Sequence, residues 1–253
     1  MPSLTVTVIT RNESDNLADA LESVRWADEI VVVDAQSTDD TVAIARRFTE
    51  RVLVQPWPGY VAQKNYAAEE ARFDWILSLD ADERVSPALA DEIRARLASA
   101  PGEAGFRVRR ASFYLGRWLR STDWYPDYQL RLYDRRRAHW DGQYVHEAVK
   151  ADGRVGTLRG ELLHYPYRDI SHHLQTIDRY TTLAAQQAAE RGRRASALDV
   201  LVRPMLAFLR NYVLRLGFKD GQAGLVVSLL NSHYVLLKFA KLWDLGRRDH
   251  VRD

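Results

Sequence analysis

The sequence predicts an α/β fold, a mostly parallel sheet flanked by helices and followed by a C-terminal helical extension. Three observations carry this. Between residues 4 and 98, apolar runs rich in β-branched residues alternate four times with segments that open on helix caps. Two of these runs, EIVVVD and WILSLD, have apolar residues on both faces, as strands of a sheet covered on both sides must. After residue 197 the pattern gives way to two long apolar helical stretches, split near 217–224.

Leu4–Thr10 (LTVTVIT) is alternating and β-branched, and so the first strand. Asn12, Glu13, Ser14 and Asp15 offer caps for a helix over 16–25, and Glu29–Asp34 is the second strand. Ser37 to Asp40 cap a helix reaching 48, and 51–55 is a short third strand. Pro56, Trp57, Pro58 and Gly59 form a loop before a helix over 61–72. Trp75–Asp80 is the fourth strand. Ser86 followed by Pro87 is an N-cap with proline at the first helical position, opening a helix to 98. From 105 to 165 short strands (105–110, 129–133 and 160–165) alternate with aromatic and glycine turns, and 171–191 reads as a helix. Repeated strand–helix alternation implies a parallel sheet, and such sheets bind ligands beyond the carboxyl ends of their strands. Thr10 to Glu13, Asp34, and Asp80 to Glu83 all fall at those ends.

The composition sets limits. With 46% hydrophobic and 28% charged residues, the chain can bury a sizeable core. It has no cysteine, which excludes disulfides and thiolate metal sites and fits a cytoplasmic setting. The opening MPSLTVTVIT lacks the basic segment and long apolar run of a leader and reads as a strand. The net charge of +2 hides an asymmetry. Residues 1–100 carry 10 Lys and Arg against 18 Asp and Glu, which suits a cation site. The 17 against 11 over 101–197, and 9 against 5 thereafter, suit a phosphate-bearing partner or an anionic membrane surface, or are plain surface charge.

Neither Gly-rich phosphate-binding motif is present, so a nucleotide would have to be held by other means. Asp80 and Asp82 form a D-x-D pair at a strand end. Oxygen ligands of this kind hold Mg²⁺ or Mn²⁺ and leave coordination positions open for phosphates. The same three aspartates, Asp34, Asp80 and Asp82, could instead cap the helices that follow them.

VITRNESDNL, IVVVDAQSTDDT, QKNYA and ILSLDADERV, in this order, resemble the successive signatures of glycosyltransferase family 2, whose members are inverting, nucleotide-sugar-dependent enzymes with the GT-A fold. WYPDYQLRLYDRR, GQYVHE and HYPYRDISHHLQTIDRYT resemble the bacterial branch containing the lipopolysaccharide core β-1,4-glucosyltransferases. The resemblance implies a nucleotide-sugar-binding half over 1–100, an acceptor-binding half over 101–197, and amphipathic helices over 198–253. Thr10, Arg11 and Glu13 would line the nucleoside pocket, and Asp34 would contact the base. Lys64 and Asn65 would approach the diphosphate or base. Asp82 would be the direct metal ligand, and Asp80 a ribose, sugar or metal contact. The family's common Asp-Asp-Gly-Ser after the second strand is here Asp34-Ala35-Gln36-Ser37, so the second acid is missing.

Inversion needs a general base for the acceptor hydroxyl, and it should come from the acceptor half. Glu147 is the first choice and Asp127 the second, with Asp123 and Asp141 behind them. Arg131 or Lys64 would assist departure of the diphosphate. His146 and His164 could be ligands or acceptor contacts, but as lone histidines beside aromatics they read as structural, and His172-His173 is discounted as a metal pair because adjacent helix positions diverge. The aromatic stretch 118–128 suits stacking on sugar rings or a local core.

The expected reaction moves glucose from UDP-glucose to a hydroxyl of a cell-envelope glycan such as the lipopolysaccharide inner core, with Mg²⁺ or Mn²⁺. The rivals are a family 2 transferase with another envelope acceptor, a nucleotidyl transferase, and a non-catalytic nucleotide-sugar-binding module. Nucleic acid is not an expected partner. Ala223–Leu237 carries no Lys, Arg, Asp or Glu but is short for a membrane span, and Asn231, Ser232 and His233 are expected to break it. The two C-terminal stretches therefore read as amphipathic helices that lie on the inner face of the inner membrane or pack on protein.

Overall fold

The alternation in the first hundred residues builds the sheet it predicts. In the computed structural model, which describes residues 2–142 and 147–250, the strands β1 (Leu4–Thr10), β2 (Glu29–Asp34), β3 (Val52–Val54) and β4 (Trp75–Asp80) are mutually parallel. They are joined by helices α1 (Leu17–Glu22), α2 (Thr41–Ala45) and α3 (Tyr60–Glu69). Then follow β5 (Glu83–Val85), α4 (Pro87–Ala98), β6 (Gly105–Tyr114), β7 (Arg117–Trp118), β8 (Asp127–Asp134), β9 (Ala138–Asp141), β10 (Ala148–Ala151) and β11 (Val155–His164). The sheet order is β3-β2-β1-β4-β8-β6-β11-β5, and β9 and β10 form a separate antiparallel pair. Strand β8 lies antiparallel to both β4 and β6, so the later strands extend the parallel half as a mixed sheet.

Two units divide the chain, Met1–Ala111 with Asp127–His164 and Ser112–Pro126 with Tyr165–Asp253. In the first unit the register pairs Thr10 with Asp34 and Ile9 with Asp80, which sets three strand ends side by side. Val6, Val8, Val32, Leu77 and Leu79 pack against Leu17 and Leu21 of α1 and Leu89, Ile93 and Leu97 of α4. Each such fully buried aliphatic side chain contributes about 1.5–3 kcal/mol. Ser86 caps α4 by accepting from the Leu89 N–H, as its Ser-Pro opening implies. Gly160 lets β11 approach α4, because a Cβ there would stand 2.5 Å from Leu89 Cα.

The differences from expectation lie in the later strands. Strands β6 and β11 are ten residues each, longer than the alternation suggested, and β5 pairs with the end of β11 directly after the acidic turn.

The second unit holds the β6 end and β7 (Phe113 opposite Trp118), an aromatic cluster, and helices α5 (Ile170–Glu190), α6 (Ala197–Leu209) and α7 (Gly221–His250). His173 stacks on Tyr167 with ring centroids 3.9 Å apart, and its Nδ1 lies 3.1 Å from the Tyr114 hydroxyl. This supports the structural reading of His173. Asn231, Ser232 and His233 interrupt the apolar run but not the helix, which continues through them. The Ser232 hydroxyl donates to the Pro204 carbonyl and the Asn231 amide to Asn211 Oδ1, so polar groups inside α7 find partners on neighbouring segments. Gly217 and Gly224 permit the tight approach before α7, since a Cβ on Gly224 would stand 1.9 Å from the Gly217 carbonyl oxygen. By length and composition alone, Gly217–Arg247 is long and apolar enough to cross a membrane.

Candidate active site

The ends of β4, β5, β6 and β8 carry a run of alternating charges, all within the first unit. Lys64 Nζ stands 3.1 Å from Asp80 Oδ1, and Arg131 pairs with Asp80 Oδ2. The same Arg131 nitrogen donates to Glu83 Oε1 at 2.7 Å, and Arg110 reaches that oxygen at 3.2 Å. Arg110 then binds Asp127 through Nε and Nη2, at 2.8 and 2.7 Å. The chain therefore reads Lys64, Asp80, Arg131, Glu83, Arg110, Asp127, with the sign changing at every step.

Glu83 is wholly buried and its Oε2 accepts the Asp80 backbone N–H at 3.0 Å. Its carboxylate thus ties two guanidinium groups to the backbone of the D-x-D turn. A buried charge is tolerable only when paired and hydrogen-bonded, and here each partner meets that condition for the next. Burial by itself would raise the Asp80 carboxyl, but Arg131 and Lys64 outweigh it and hold Asp80 far below the usual carboxylate range. Burial would lower Arg131, and Asp80 and Glu83 more than offset it, so Arg131 stays cationic.

Asp82, two residues on from Asp80, is differently placed. Its side chain is as exposed as that of Asp80, 28% against 29%, and it differs in its partner, with Oδ2 3.3 Å from His164 Nε2 at the end of β11. A carboxylate oxygen and an imidazole nitrogen this close are both donors that Mn²⁺ accepts. No group of three or more acidic, His or Cys side chains with metal-site geometry occurs among the described residues. The pair therefore fits a cation that takes its other ligands from phosphate oxygens and water, as Mg²⁺ and Mn²⁺ commonly do.

Of the two base candidates, Asp127 has both oxygens engaged, Oδ2 by Arg110 and Oδ1 by the Gln129 amide at 2.7 Å. Glu147, just before β10, has a buried Oε2 with no hydrogen-bond partner among the described residues. Residues 143–146 of the GQYVHE stretch, His146 included, lie outside the described residues. Asp141 pairs with Lys150, and Asp123 of the second unit pairs with Arg210, so neither presents a free carboxylate.

At the first two strand ends, Asp34 is fully buried and accepts both the N–H and the hydroxyl of Ser37. It therefore holds its own turn, as a capping aspartate does. Thr10, beside it, is buried with a hydroxyl that finds no partner among the described residues. Arg11 is exposed. The Glu13 N–H donates to Thr41 Oγ1, and its carboxylate accepts from the Asn16 amide. The Asn65 side chain exchanges two 2.9 Å hydrogen bonds with the Trp140 backbone, which fixes β9 against α3. Lys64 Nζ also sits 4.1 Å from the centroid of the Trp140 ring.

Sequence reasoning left Glu83 without a role, passed over Arg110 and classed His164 as structural. A signal for Arg110 was present, since strand alternation puts it on the same face as Val108, two residues before it, which is buried. No local pattern pointed to Glu83, whose partner Arg131 is 48 residues away.

The fold is that of the GT-A glycosyltransferases. A mannosyltransferase from Pyrobaculum calidifontis, solved with GDP-mannose and Mn²⁺, superposes with a TM-score of 0.54 at 19% identity, covering 96% of this chain and 88% of that one. An S. aureus TarS fragment solved with UDP-GlcNAc gives 0.50 at 14% identity, covering 98% and 92%. The family model for glycosyl transferase family 2 matches residues 5–151. The lipopolysaccharide core biosynthesis glycosyltransferase LpsC of Rhizobium meliloti is 31% identical over 99% of this chain and 96% of its own length. An uncharacterized glycosyltransferase of Rickettsia prowazekii is 30% identical over 97% and 88%. The chain belongs to glycosyl transferase family 2.

Proposed function

We propose that this family 2 enzyme is an inverting hexosyltransferase that moves a sugar, glucose from UDP-glucose in the first instance, to a hydroxyl of a cell-envelope glycan such as the lipopolysaccharide inner core. The observation that carries the reading is the division of labour in the D-x-D turn. The two side chains are about equally exposed, but Asp80 is neutralised by Lys64 and Arg131, whereas Asp82 faces His164. In this reading Asp82 and His164 hold a divalent cation, which when bound supplies Lewis-acid stabilisation of the departing diphosphate. Lys64 and Arg131 add fixed positive charge near the turn, and Thr10, Arg11, Glu13 and Asp34 form the nucleoside side. Because Asp34 is sealed by Ser37, base recognition through it requires the Ser37 turn to open.

Glu147 is the general base, supported by its unpartnered Oε2 and by the full engagement of Asp127. It takes the proton of the acceptor hydroxyl as that oxygen attacks the anomeric carbon from the face opposite the diphosphate. The bond from the anomeric carbon to the diphosphate oxygen breaks, the nucleoside diphosphate leaves with the electron pair, and the configuration inverts. The enzyme works at the cytoplasmic face of the inner membrane, where an acceptor anchored in lipid is within reach. The experiment is a pair of variants assayed for donor binding and for transfer. Glu147→Gln retains donor binding and loses at least about a hundredfold in kcat, while Asp127→Asn keeps most of its turnover. Full turnover in Glu147→Gln assigns the base elsewhere.

A further inference from the structure

Helix α6 presents two apolar faces, and among the described residues only one has a partner. Pro204 and Ala207 are buried on the side that packs within the second unit. On the opposite side Leu198, Leu201, Met205 and Leu209 recur at spacings of three and four, which places them in one stripe along the helix. Leu201 is 66% and Met205 61% exposed, and past the helix end Leu214 is 75% exposed. Single exposed leucines are ordinary on protein surfaces, but a continuous stripe of them marks an interaction site.

The charge around the stripe narrows what covers it. Residues 191–220 contain seven Lys and Arg (Arg191, Arg193, Arg194, Arg203, Arg210, Arg215 and Lys219) against two acids. One of the two, Asp220, is buried and accepts from the Arg120 N–H and the Ser121 hydroxyl. The other, Asp199, is paired with Arg203 and caps α6 through Ser196, and Asp123 pairs with Arg210 and Arg215, so the excess of basic charge lies at the flanks, at Arg191, Arg193, Arg194 and Lys219.

We propose that residues 191–220 form the membrane-docking surface of the enzyme. Helix α6 then lies in the plane of the headgroups, its leucine and methionine stripe sunk into an anionic leaflet and the basic residues that flank it in sequence against the lipid phosphates. This rests on the reading of the enzyme as one that meets a lipid-anchored acceptor. A second copy of the chain is the lesser candidate, because a two-fold interface through this stripe would bring the two basic segments together and repel. An anionic bilayer matches both the apolar stripe and its basic surround.

The test is flotation of the full chain with vesicles of phosphatidylcholine alone and with added phosphatidylglycerol, with light scattering in parallel. The wild type floats with the anionic vesicles and is released by salt. The double variant Leu201→Asp with Met205→Asp reduces partition at least about tenfold. The triple variant Arg191→Gln, Arg193→Gln, Arg194→Gln weakens binding to anionic vesicles selectively. Wild-type chain that stays with neither vesicle overturns the proposal. So does a wild-type dimer that the double variant converts to monomers, which would make the stripe an interface between copies. Hydrolysis of UDP-glucose in the same samples separates the two readings. Its retention in the double variant confines the defect to docking, and its absence from the wild type counts against the transferase reading without bearing on flotation.

Discussion

The charged chain in the first unit and the apolar stripe of α6 in the second are opposite departures from the usual partition of residues. In the first, Lys64, Arg131 and Glu83 are buried and Asp80, Arg110 and Asp127 half-buried, and every one is answered by a neighbour of opposite sign. In the second, large aliphatic side chains are exposed and no described residue covers them. The comparison teaches where each cost is met. The charges are balanced internally, so they shape a fixed turn that carries Asp82 beside His164. The stripe is not covered by the described residues, and the proposed compensation is the membrane. Buried polar groups and exposed apolar patches are the informative exceptions to burial rules, and here each exception marks a different task.

Perturbing the two regions should therefore give effects of very different size. Glu83→Ala leaves Arg131 and Arg110 short of a counter-charge inside the protein, and chemical denaturation should show a loss of about 3–5 kcal/mol. A loss below about 1 kcal/mol would mean that water compensates the cluster and the turn is not held by it. Next in size is the aromatic cluster of the second unit. Burial, helped by the adjacent His172, pushes His173 down to about 4 from an ordinary value of 6.5. The folded state therefore binds its proton less readily than the unfolded chain. The stability His173 contributes is complete above pH 6.5 and is lost as the pH falls toward 4. Denaturation midpoints at pH 7 and pH 4.5 should differ in that sense, and His173→Phe should flatten the dependence. Smallest is the stripe itself. Leu201→Asp should change unfolding free energy by no more than about 0.5 kcal/mol, since the side chain is already in water. A larger loss would show that the stripe is covered within the protein.

What the sequence revealed and what it hid follow the same physical line. The strands Leu4–Thr10, Glu29–Asp34 and Trp75–Asp80 were legible because their signal is local, a β-branched run ending in a cap or an acid. The family motifs were legible for the same reason. Strand β5 and the pairing of β8 with β4 were not, because antiparallel pairing across more than fifty residues, of β4 with β8 and of β5 with β11, leaves no periodic trace. Glu83 looked like the start of a turn because its worth depends on Arg131 and Arg110, which come from β8 and β6. His164 looked structural until β11 carried it beside Asp82. The polar residues Asn231 to His233 interrupt the apolar run without ending the helix, because neighbouring segments supply acceptors, as Pro204 and Asn211 do.

Asp82 beside His164 is the hinge of the account, and metal-dependent donor binding tests it most directly. Thermal shift with UDP-glucose and other nucleoside diphosphate sugars, with and without Mn²⁺, should show stabilisation of the wild type that requires the cation. At a donor concentration a hundred times Kd the gain is about 2.7 kcal/mol. Asp82→Ala should abolish the cation-dependent part while leaving the unliganded midpoint nearly unchanged. No stabilisation by any nucleoside diphosphate sugar, or an undiminished Mn²⁺-dependent shift in Asp82→Ala, would contradict the account.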